Sequence, residues 1–192
     1  MARVTGGWGR FVWMGSFDSE NQVRYDRTAR PVVAISARSE LLPEVEQVID
    51  TISRRGLVLA TGHSSPEEDL MLIREARNRG VANIVVTHAM MAPIHMSIDQ
   101  MREAAGLGAF IEFVYNGLIG PHKEFEISEH VQAIRAIGAT QCVLASDLGQ
   151  AVNPPHTDGL IRFFAALKEE GISQPEIDWM SKRNPAHLLG LQ

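Results

Sequence analysis

The chain has 192 residues, 45% of them hydrophobic, and a formal net charge of −5, which suffices for one packed core and is too short for two ordinary domains. The acidic balance argues against a nucleic-acid partner, and the lack of any apolar stretch near the roughly 20 residues of a membrane-spanning helix argues against a membrane partner. The opening residues lack the apolar core of a secretory signal, and the single cysteine, Cys142, cannot form an intrachain disulfide, so we expect a cytoplasmic protein in which Cys142 is a small buried residue.

The first 56 residues carry the weaker structural signals. The run FVWMGSFD (11–18) is strand-like, and LLPEVEQVIDTISRRG (41–56) predicts a helix because its apolar residues recur on one face. PVVAIS (31–36) has the composition of a strand, but it follows the first run too closely for a helical crossover between the two. The sequence therefore predicts one strand and one helix here and leaves the middle segment open.

From residue 57 onward, short β-branched runs alternate with longer amphipathic segments, the pattern of parallel strands joined by crossover helices. The predicted strands are 57–63, 83–88, 109–116 and 142–149. The predicted helices begin at Ser65 and Ser97, each followed by the Glu or Gln of a capping box, then at Ser128, and over 158–170. The tail predicts one or two closing helices, with Asn184 and Pro185 able to begin the last.

The spacing of the strand ends indicates the architecture. His63, His88, Asn116 and Gly149 follow one another at intervals of 25, 28 and 33 residues, close to the roughly 31 residues per unit of a (β/α)8 barrel. We therefore predict an α/β fold: one incomplete TIM-barrel-like domain over 1–192, in which parallel strands alternate with helices and the first units are missing, either because the barrel is incomplete or because those units lie outside this chain. An opened barrel has unpaired strand edges that a loop, the first forty residues or another subunit must cover, so we expect a homo-oligomer that covers them or a poorly soluble chain.

Polar residues end three of these apolar strands. His63 ends LATGH, His88 ends VVTH and Asp147 ends LASD, and in parallel α/β folds the carboxyl ends of the strands form the active-site face. Two imidazoles and a carboxylate are ligands suited to zinc, and also to manganese, iron or nickel. The alternative is structural: each histidine caps a helix or bonds a loop carbonyl, and Asp147 organises the turn at Gly149.

The same motifs carry a family resemblance. The order TGH, VTH, SDLG and then RNPAHLLGL, within residues 57–191, resembles the second half of the amidohydrolase superfamily of metal-dependent hydrolases. The resemblance implies that His63 and His88 end the fifth and sixth barrel strands as metal-binding or substrate-orienting residues, and that Asp147 ends the eighth as metal ligand and proton shuttle. It further implies that water activated by a divalent metal, zinc first, attacks a C–N, C–O or P–O bond of a small-molecule substrate.

Two features of that superfamily are missing. Its first strand ends in a His-x-His pair, and no His-x-His occurs in this sequence. A bridging carboxylate or carboxylated lysine from the fourth strand is not evident either, and Asp18 or Glu20 could replace it or be solvated loop residues. The alternative function is therefore a truncated or degenerate relative that no longer catalyses and serves as a binding or assembly scaffold.

Four further residues are weaker candidates for contacting substrate. Glu112 alternates with apolar neighbours in its strand, where an inward carboxylate needs a partner, so it contacts either substrate or a structural partner in the core. His95, His122 and His156 lie in the loops that follow the strands, where histidines bind substrate or are simply solvated.

Overall fold

The computed structural model describes residues 9–191, apart from the side chain of His122, and divides into two compact units, Met1–Phe110 and Ile111–Gln192. In both units parallel strands are linked by helices, so the predicted α/β class is confirmed. No helix within the described residues is long and apolar enough to cross a membrane. The single domain over 1–192 stays a prediction.

The first unit has a layer of parallel strands with helical crossovers. Its elements in chain order are β1 (Phe11–Trp13), α1 (Glu20–Asp26), β2 (Ser36–Ala37), β3 (Glu40–Leu41), α2 (Pro43–Arg54), β4 (Val58–Ala60), α3 (Pro66–Asn78), β5 (Asn83–Val86) and α4 (Ile98–Gly106). Strand β4 pairs in parallel with β1 on one side and with β5 on the other, while β2 and β3 form a small antiparallel hairpin.

Burial explains why these segments form that layer. The three residues of β4 are at most 1% exposed, as expected for a parallel strand covered on both faces. Helix α2 buries Val45, Ile49 and Ile52, and α3 begins with the predicted capping box at Ser65. Arg79, just after α3, forms ion pairs with acidic residues of α2, so the two crossover helices are also linked by charge.

The second unit repeats the pattern with two strands. Its elements in chain order are β6 (Phe110–Val114), α5 (Ile127–Ile137), β7 (Cys142–Ala145), α6 (His156–Glu169), α7 (Gln174–Asp178) and α8 (Asn184–Leu189). A π-helical turn, Trp179–Arg183, joins the last two helices. Strands β6 and β7 are parallel, with Ile111 opposite Cys142, and Phe113, Ile134, Phe163 and Leu167 are buried in this unit.

Cys142 is buried in β7, as predicted. Its thiol lies 3.3 Å from the carbonyl oxygen of Gly138, and burial raises the pKa of the thiol to about 12. Because a thiol with so high a pKa stays protonated at neutral pH, Cys142 acts as a core residue and not as a nucleophile.

The structure decides one segment that the sequence leaves open and corrects two local predictions. The segment 31–36 does not add a strand to the sheet: Val33 makes one isolated bridge with Ser19, and Ser36 pairs within the β2–β3 hairpin, because the chain turns back locally. Helix α5 begins at Ile127, one residue early, since Glu129 accepts a hydrogen bond from the N–H of Glu126.

Asn184 does not cap the last helix. Its side-chain amide instead donates to the carbonyl oxygens of Ala139 at 3.1 Å and Cys142 at 2.7 Å, because α8 continues directly from the π-helical turn and has no free end to cap there. The structure also contains a seven-residue helix, α1, that the sequence did not predict, and its strands end earlier than predicted.

Candidate functional site

The structure brings His63 and His88 together in the first unit. Each follows the carboxyl end of its strand, and the parallel register of β4 and β5 places those ends side by side. The Nε2 atoms of the two imidazoles are 3.0 Å apart and the ring centroids 4.8 Å apart. His63 is half-buried and His88 is 9% exposed, so the pair is a partly enclosed site and not two separate surface histidines.

Gly62 permits this arrangement. Its φ is +72°, and a Cβ atom there would lie 2.5 Å from the carbonyl oxygen of Gly15 and 2.8 Å from that of Met14. The N–H of His63 then donates to the Gly15 carbonyl at 2.9 Å. The glycine of TGH is therefore required by the close passage of the β1 end, which fixes the backbone of His63.

The threonines of the two motifs join the strand ends. The N–H of Gly62 donates to Oγ1 of Thr87 at 3.1 Å, and the N–H of Thr87 donates to Oγ1 of Thr61 at 3.3 Å. His88 itself has φ +23°, a conformation that side-chain-bearing residues rarely adopt. Such backbone conformations concentrate at functional sites, where the surrounding structure maintains them.

Helix α1 and its N-cap hold His63 from the other side. Ser19 Oγ donates to the carbonyl oxygen of His63 at 2.9 Å, and Asn21 Nδ2 donates to the same oxygen at 3.2 Å. Gln22 Oε1 lies 2.7 Å from Nδ1 of His63, and the Phe17 ring meets the imidazole edge-on at 5.5 Å. The sequence analysis missed these residues, although Ser19 followed by Gln22 has the S-x-x-Q spacing of a helix start.

The surroundings of His63 favour its neutral form. Burial, and to a smaller extent the proximity of His88, lower the pKa of His63 to about 4, while the carboxylate of Asp26 opposes the shift. A neutral imidazole has a lone pair available for a metal, whereas an imidazolium does not. His63 is therefore in its metal-binding protonation state at neutral pH.

The donor set fits two positions of a divalent-metal site. Zinc binds imidazole nitrogens at about 2.0–2.1 Å, so two such ligands at the tetrahedral angle lie about 3.3–3.4 Å apart, a few tenths of an ångström more than the 3.0 Å between the His63 and His88 Nε2 atoms. Within each unit, the described residues contain no group of three or more His, Cys, Asp or Glu side chains placed to hold one ion. The first unit therefore supplies a two-imidazole donor pair.

Asp147 lies in the second unit, after the end of β7. Its side chain is exposed, its φ is +50°, and its Oδ2 accepts a hydrogen bond from Nδ2 of Asn116 at 3.3 Å. Asn116 is 3% exposed and accepts in turn from Nδ2 of Asn153 at 2.9 Å. A carboxylate on a constrained backbone, oriented by a buried amide, is suited to accept and return a proton.

The weaker candidates have varied surroundings. His156 begins α6, and its Nδ1 lies 2.8 Å from Oγ of Ser146, the residue before Asp147. His95 is exposed and its ring meets Tyr25 at 5.9 Å, while Glu112 is half-buried in β6. The side chain of His122 lies outside the described part of the structure, and a substrate role stays a prediction for all four.

Asp18 and Glu20, the two candidates to replace the bridging carboxylate of the fourth strand, each have an arginine partner. Asp18 lies 3.9 Å from Arg30, and Glu20 pairs with Arg24 at 2.7 Å one helical turn away. Both pairs lie at the surface. This placement agrees with solvated carboxylates and gives neither residue a contact with the histidine pair.

Comparison with models of protein families shows which family the chain belongs to. The model of a family of unknown function, DUF6282, matches residues 1–112, more than half of the sequence. The chain belongs to this family. No curated protein matches it.

Solved structures show the fold. A mutant organophosphorus hydrolase from Deinococcus radiodurans is similar with a TM-score of 0.57 and 17% identity over 81% of this chain and 54% of that one. A Pseudomonas putida protein assigned as a 2-pyrone-4,6-dicarboxylic acid hydrolase gives a TM-score of 0.58 and 16% identity over 95% of this chain and 71% of that one. A dihydroxybenzoic acid decarboxylase from Polaromonas sp. JS666, solved with bound manganese, gives a TM-score of 0.53 and 11% identity over 86% of this chain and 57% of that one.

These structures are TIM-barrel enzymes of the amidohydrolase superfamily. The predicted TIM-barrel-like fold is therefore confirmed, and the predicted resemblance holds as a likeness of fold. This chain spans little more than half of the length of the organophosphorus hydrolase. The predicted roles of individual residues are not tested by so distant a similarity.

Proposed function

We propose that this protein is a metal-dependent enzyme of the amidohydrolase type, in which His63 and His88 bind a divalent metal and Asp147 serves as metal ligand and proton shuttle. One observation carries the proposal: two imidazoles at neighbouring strand ends have their Nε2 atoms 3.0 Å apart. Each imidazole presents a nitrogen to the other at a spacing close to that of two ligands on one ion, and the same distance allows a direct N–H···N hydrogen bond when no ion is bound.

The proposed chemistry is hydrolysis. A bound divalent metal lowers the pKa of water and so supplies a nucleophile at neutral pH. In this chain His63 and His88 would hold the ion, and Asp147, oriented by Asn116, would accept a proton and return it to the leaving group. The substrate we propose is a small molecule with a C–N, C–O or P–O bond to be cleaved. Zinc is the first expectation, and manganese is the alternative because one similar structure contains it.

Metal analysis of purified protein tests the proposal. We expect bound metal in the unmodified protein and its loss in the variants His63→Ala, His88→Ala and Asp147→Ala. The matched control is His187→Ala, which removes an exposed histidine from α8 and should retain the metal. Equal metal content in all five proteins would show that the ion binds elsewhere.

A protein without metal would instead support the second candidate, a non-catalytic binding or assembly scaffold. The observation that favours this candidate is that each unit, within the residues described, lacks a group of three metal-ligating side chains. A catalytic zinc site ordinarily has three protein ligands and a water. If added Zn²⁺ also fails to bind, the scaffold is the better account.

A further inference from the structure

Four serines of this chain are followed three residues later by Glu or Gln at the start of a helix, and one of the four helices departs from the rest. In α3, α4 and α7 the side chain of that third residue accepts a hydrogen bond from the N-cap N–H, at 2.7–3.0 Å, which completes a capping box. In α1 the corresponding side chain, that of Gln22, turns away from the N-cap. The Ser19 N–H bonds instead to the carbonyl oxygen of Ser16 at 3.0 Å.

The amide of Gln22 has a defined orientation. Its Nε2 donates to Oδ1 of Asp26 at 2.8 Å, and the other oxygen of that carboxylate accepts from Arg30 at 2.8 Å. An ionised carboxylate only accepts hydrogen bonds, so the NH2 group of Gln22 must face Asp26. The amide oxygen of Gln22 therefore faces His63.

This orientation fixes the tautomer of His63. The oxygen of Gln22 can only accept, and it lies 2.7 Å from Nδ1 of His63, so Nδ1 carries the proton. The remaining nitrogen, Nε2, then has its lone pair directed at Nε2 of His88, 3.0 Å away. A neutral imidazole with the proton on Nε2 could not bind a metal at that position.

We propose that Gln22, oriented by Asp26, is a positioning residue that holds His63 in the Nδ1-protonated tautomer and thereby makes its Nε2 a metal ligand. The inference rests on the proposed function, because it assumes that the histidine pair binds a metal. It explains why Gln22 does not form the capping-box bond that the equivalent residues of the other helices make. Outer hydrogen-bond partners of metal-binding histidines typically change metal affinity by about 10- to 100-fold.

Two measurements on three variants test this role. Long-range ¹H–¹⁵N spectra of the metal-free protein report which nitrogen of His63 carries the proton. We expect Nδ1 protonation in the unmodified protein, a mixture of tautomers in Gln22→Ala, and retention of Nδ1 protonation in Gln22→Glu, whose carboxylate still accepts from Nδ1. Calorimetric titration with Zn²⁺ should give a Kd raised about 10- to 100-fold in Gln22→Ala and close to the original in Gln22→Glu.

The matched control is Gln174→Ala. Gln174 donates to Asp178 four residues later on α7, the same contact that Gln22 makes with Asp26, so the control removes an equivalent helix-surface bond. It should change neither the tautomer nor the affinity. Gln22→Ala with an unchanged tautomer, or with a changed tautomer and the original Kd, would overturn the inference. Because the tautomer is read without metal, that result is separate from a failure of the unmodified protein to bind Zn²⁺, which would overturn the proposed function.

Discussion

At the scale of single residues, Gly62 is the position that most constrains the histidine pair. Its left-handed backbone and the approach of the Gly15 carbonyl leave no room for a side chain. We expect Gly62→Ala to lower the free energy of unfolding by more than the roughly 1–2 kcal/mol that an L-residue loses in this conformation, and to displace His63. Urea denaturation measures the first effect and Zn²⁺ titration the second.

Gly56→Ala is the control for that experiment. Gly56 has φ +58°, but nothing lies within 4 Å of the Cβ position, so its substitution incurs the conformational cost alone. Equal losses of unfolding free energy in the two variants would mean that the backbone at the end of β1 moves to make room for the new methyl group.

His130 should make stability depend on pH. It is 1% exposed beside Phe113, Phe125 and Phe163, and burial lowers its pKa to about 4, although a hydrogen bond to the Val114 backbone opposes the shift. The unfolded chain, with an ordinary pKa of 6.5, binds a proton in the range where the folded chain does not. The free energy of unfolding is therefore unaffected above pH 6.5 and falls as the pH drops toward 4.

The expected contribution of His130 is about 2 kcal/mol between pH 7 and pH 5. Urea denaturation at a series of pH values measures the slope, and His130→Phe should reduce it because an uncharged ring has no proton to bind. His63 also has a lowered pKa and contributes to the slope in both proteins, so the difference between them is the test. Identical slopes would contradict the assignment.

At the scale of elements, Asn184 ties α8 to the strand before it. The residue is 3% exposed, and its amide supplies hydrogen bonds to two carbonyl oxygens, at Ala139 and Cys142. We expect Asn184→Ala to cost about 1–3 kcal/mol of unfolding free energy, because the buried carbonyl oxygen of Cys142 and the half-buried one of Ala139 lose their donor. Asn184→Asp should be at least as harmful, since its carboxylate would face carbonyl oxygens without a donor.

Thermal or urea denaturation of these variants should be compared with Asn78→Ala. Asn78 is exposed at the end of α3, so its truncation should change stability by no more than about 0.5 kcal/mol. If Asn184→Ala behaved like this control, the two carbonyl groups would have found other donors.

At the scale of the whole molecule, the edge of β1 is the exposed feature that matters most. Among the described residues, β1 pairs with β4 on one side and has no strand on the other. Apolar side chains surround this open edge: Trp13 is 55% exposed, Phe17 70%, Val33 55% and Val48 40%, and they line a cleft of about 760 Å³. Unpaired strand edges with apolar surroundings promote association between chains.

We therefore expect the chain to self-associate through this edge, and Val48→Glu to shift it toward the monomer. Size-exclusion chromatography with light scattering measures the mass. Val152→Glu in the second unit, where Val152 is 73% exposed, controls for the general effect of an added charge on a surface valine. A monomeric unmodified protein of high thermal stability would contradict the expectation.

Much of this architecture follows from local sequence. The β-branched runs at 57–63, 83–88 and 142–149, and the capping boxes at Ser65 and Ser97, specify strands and helix starts through nearest-neighbour chemistry, and the structure has them. Placing His63 and His88 at the ends of consecutive parallel strands was sufficient to predict that they would lie near each other. The sequence did not predict helix α1 because its seven residues, about two turns, have little periodicity, and its S-x-x-Q start was the only signal.

The sequence by itself thus determined the class of fold, the strand and helix starts of the regular region, and the two histidines, because each depends on residues close together in the chain. Only the tertiary structure decided which groups surround His63: the backbone of Gly15 against Gly62, and the amide of Gln22 on Nδ1. Gln22 and His63 are 41 positions apart, and a hydrogen bond of 2.7 Å between such residues depends on how β1, α1 and β4 are placed, which no local pattern encodes. The same separation explains why the side chain that selects the tautomer could be found only in the folded chain.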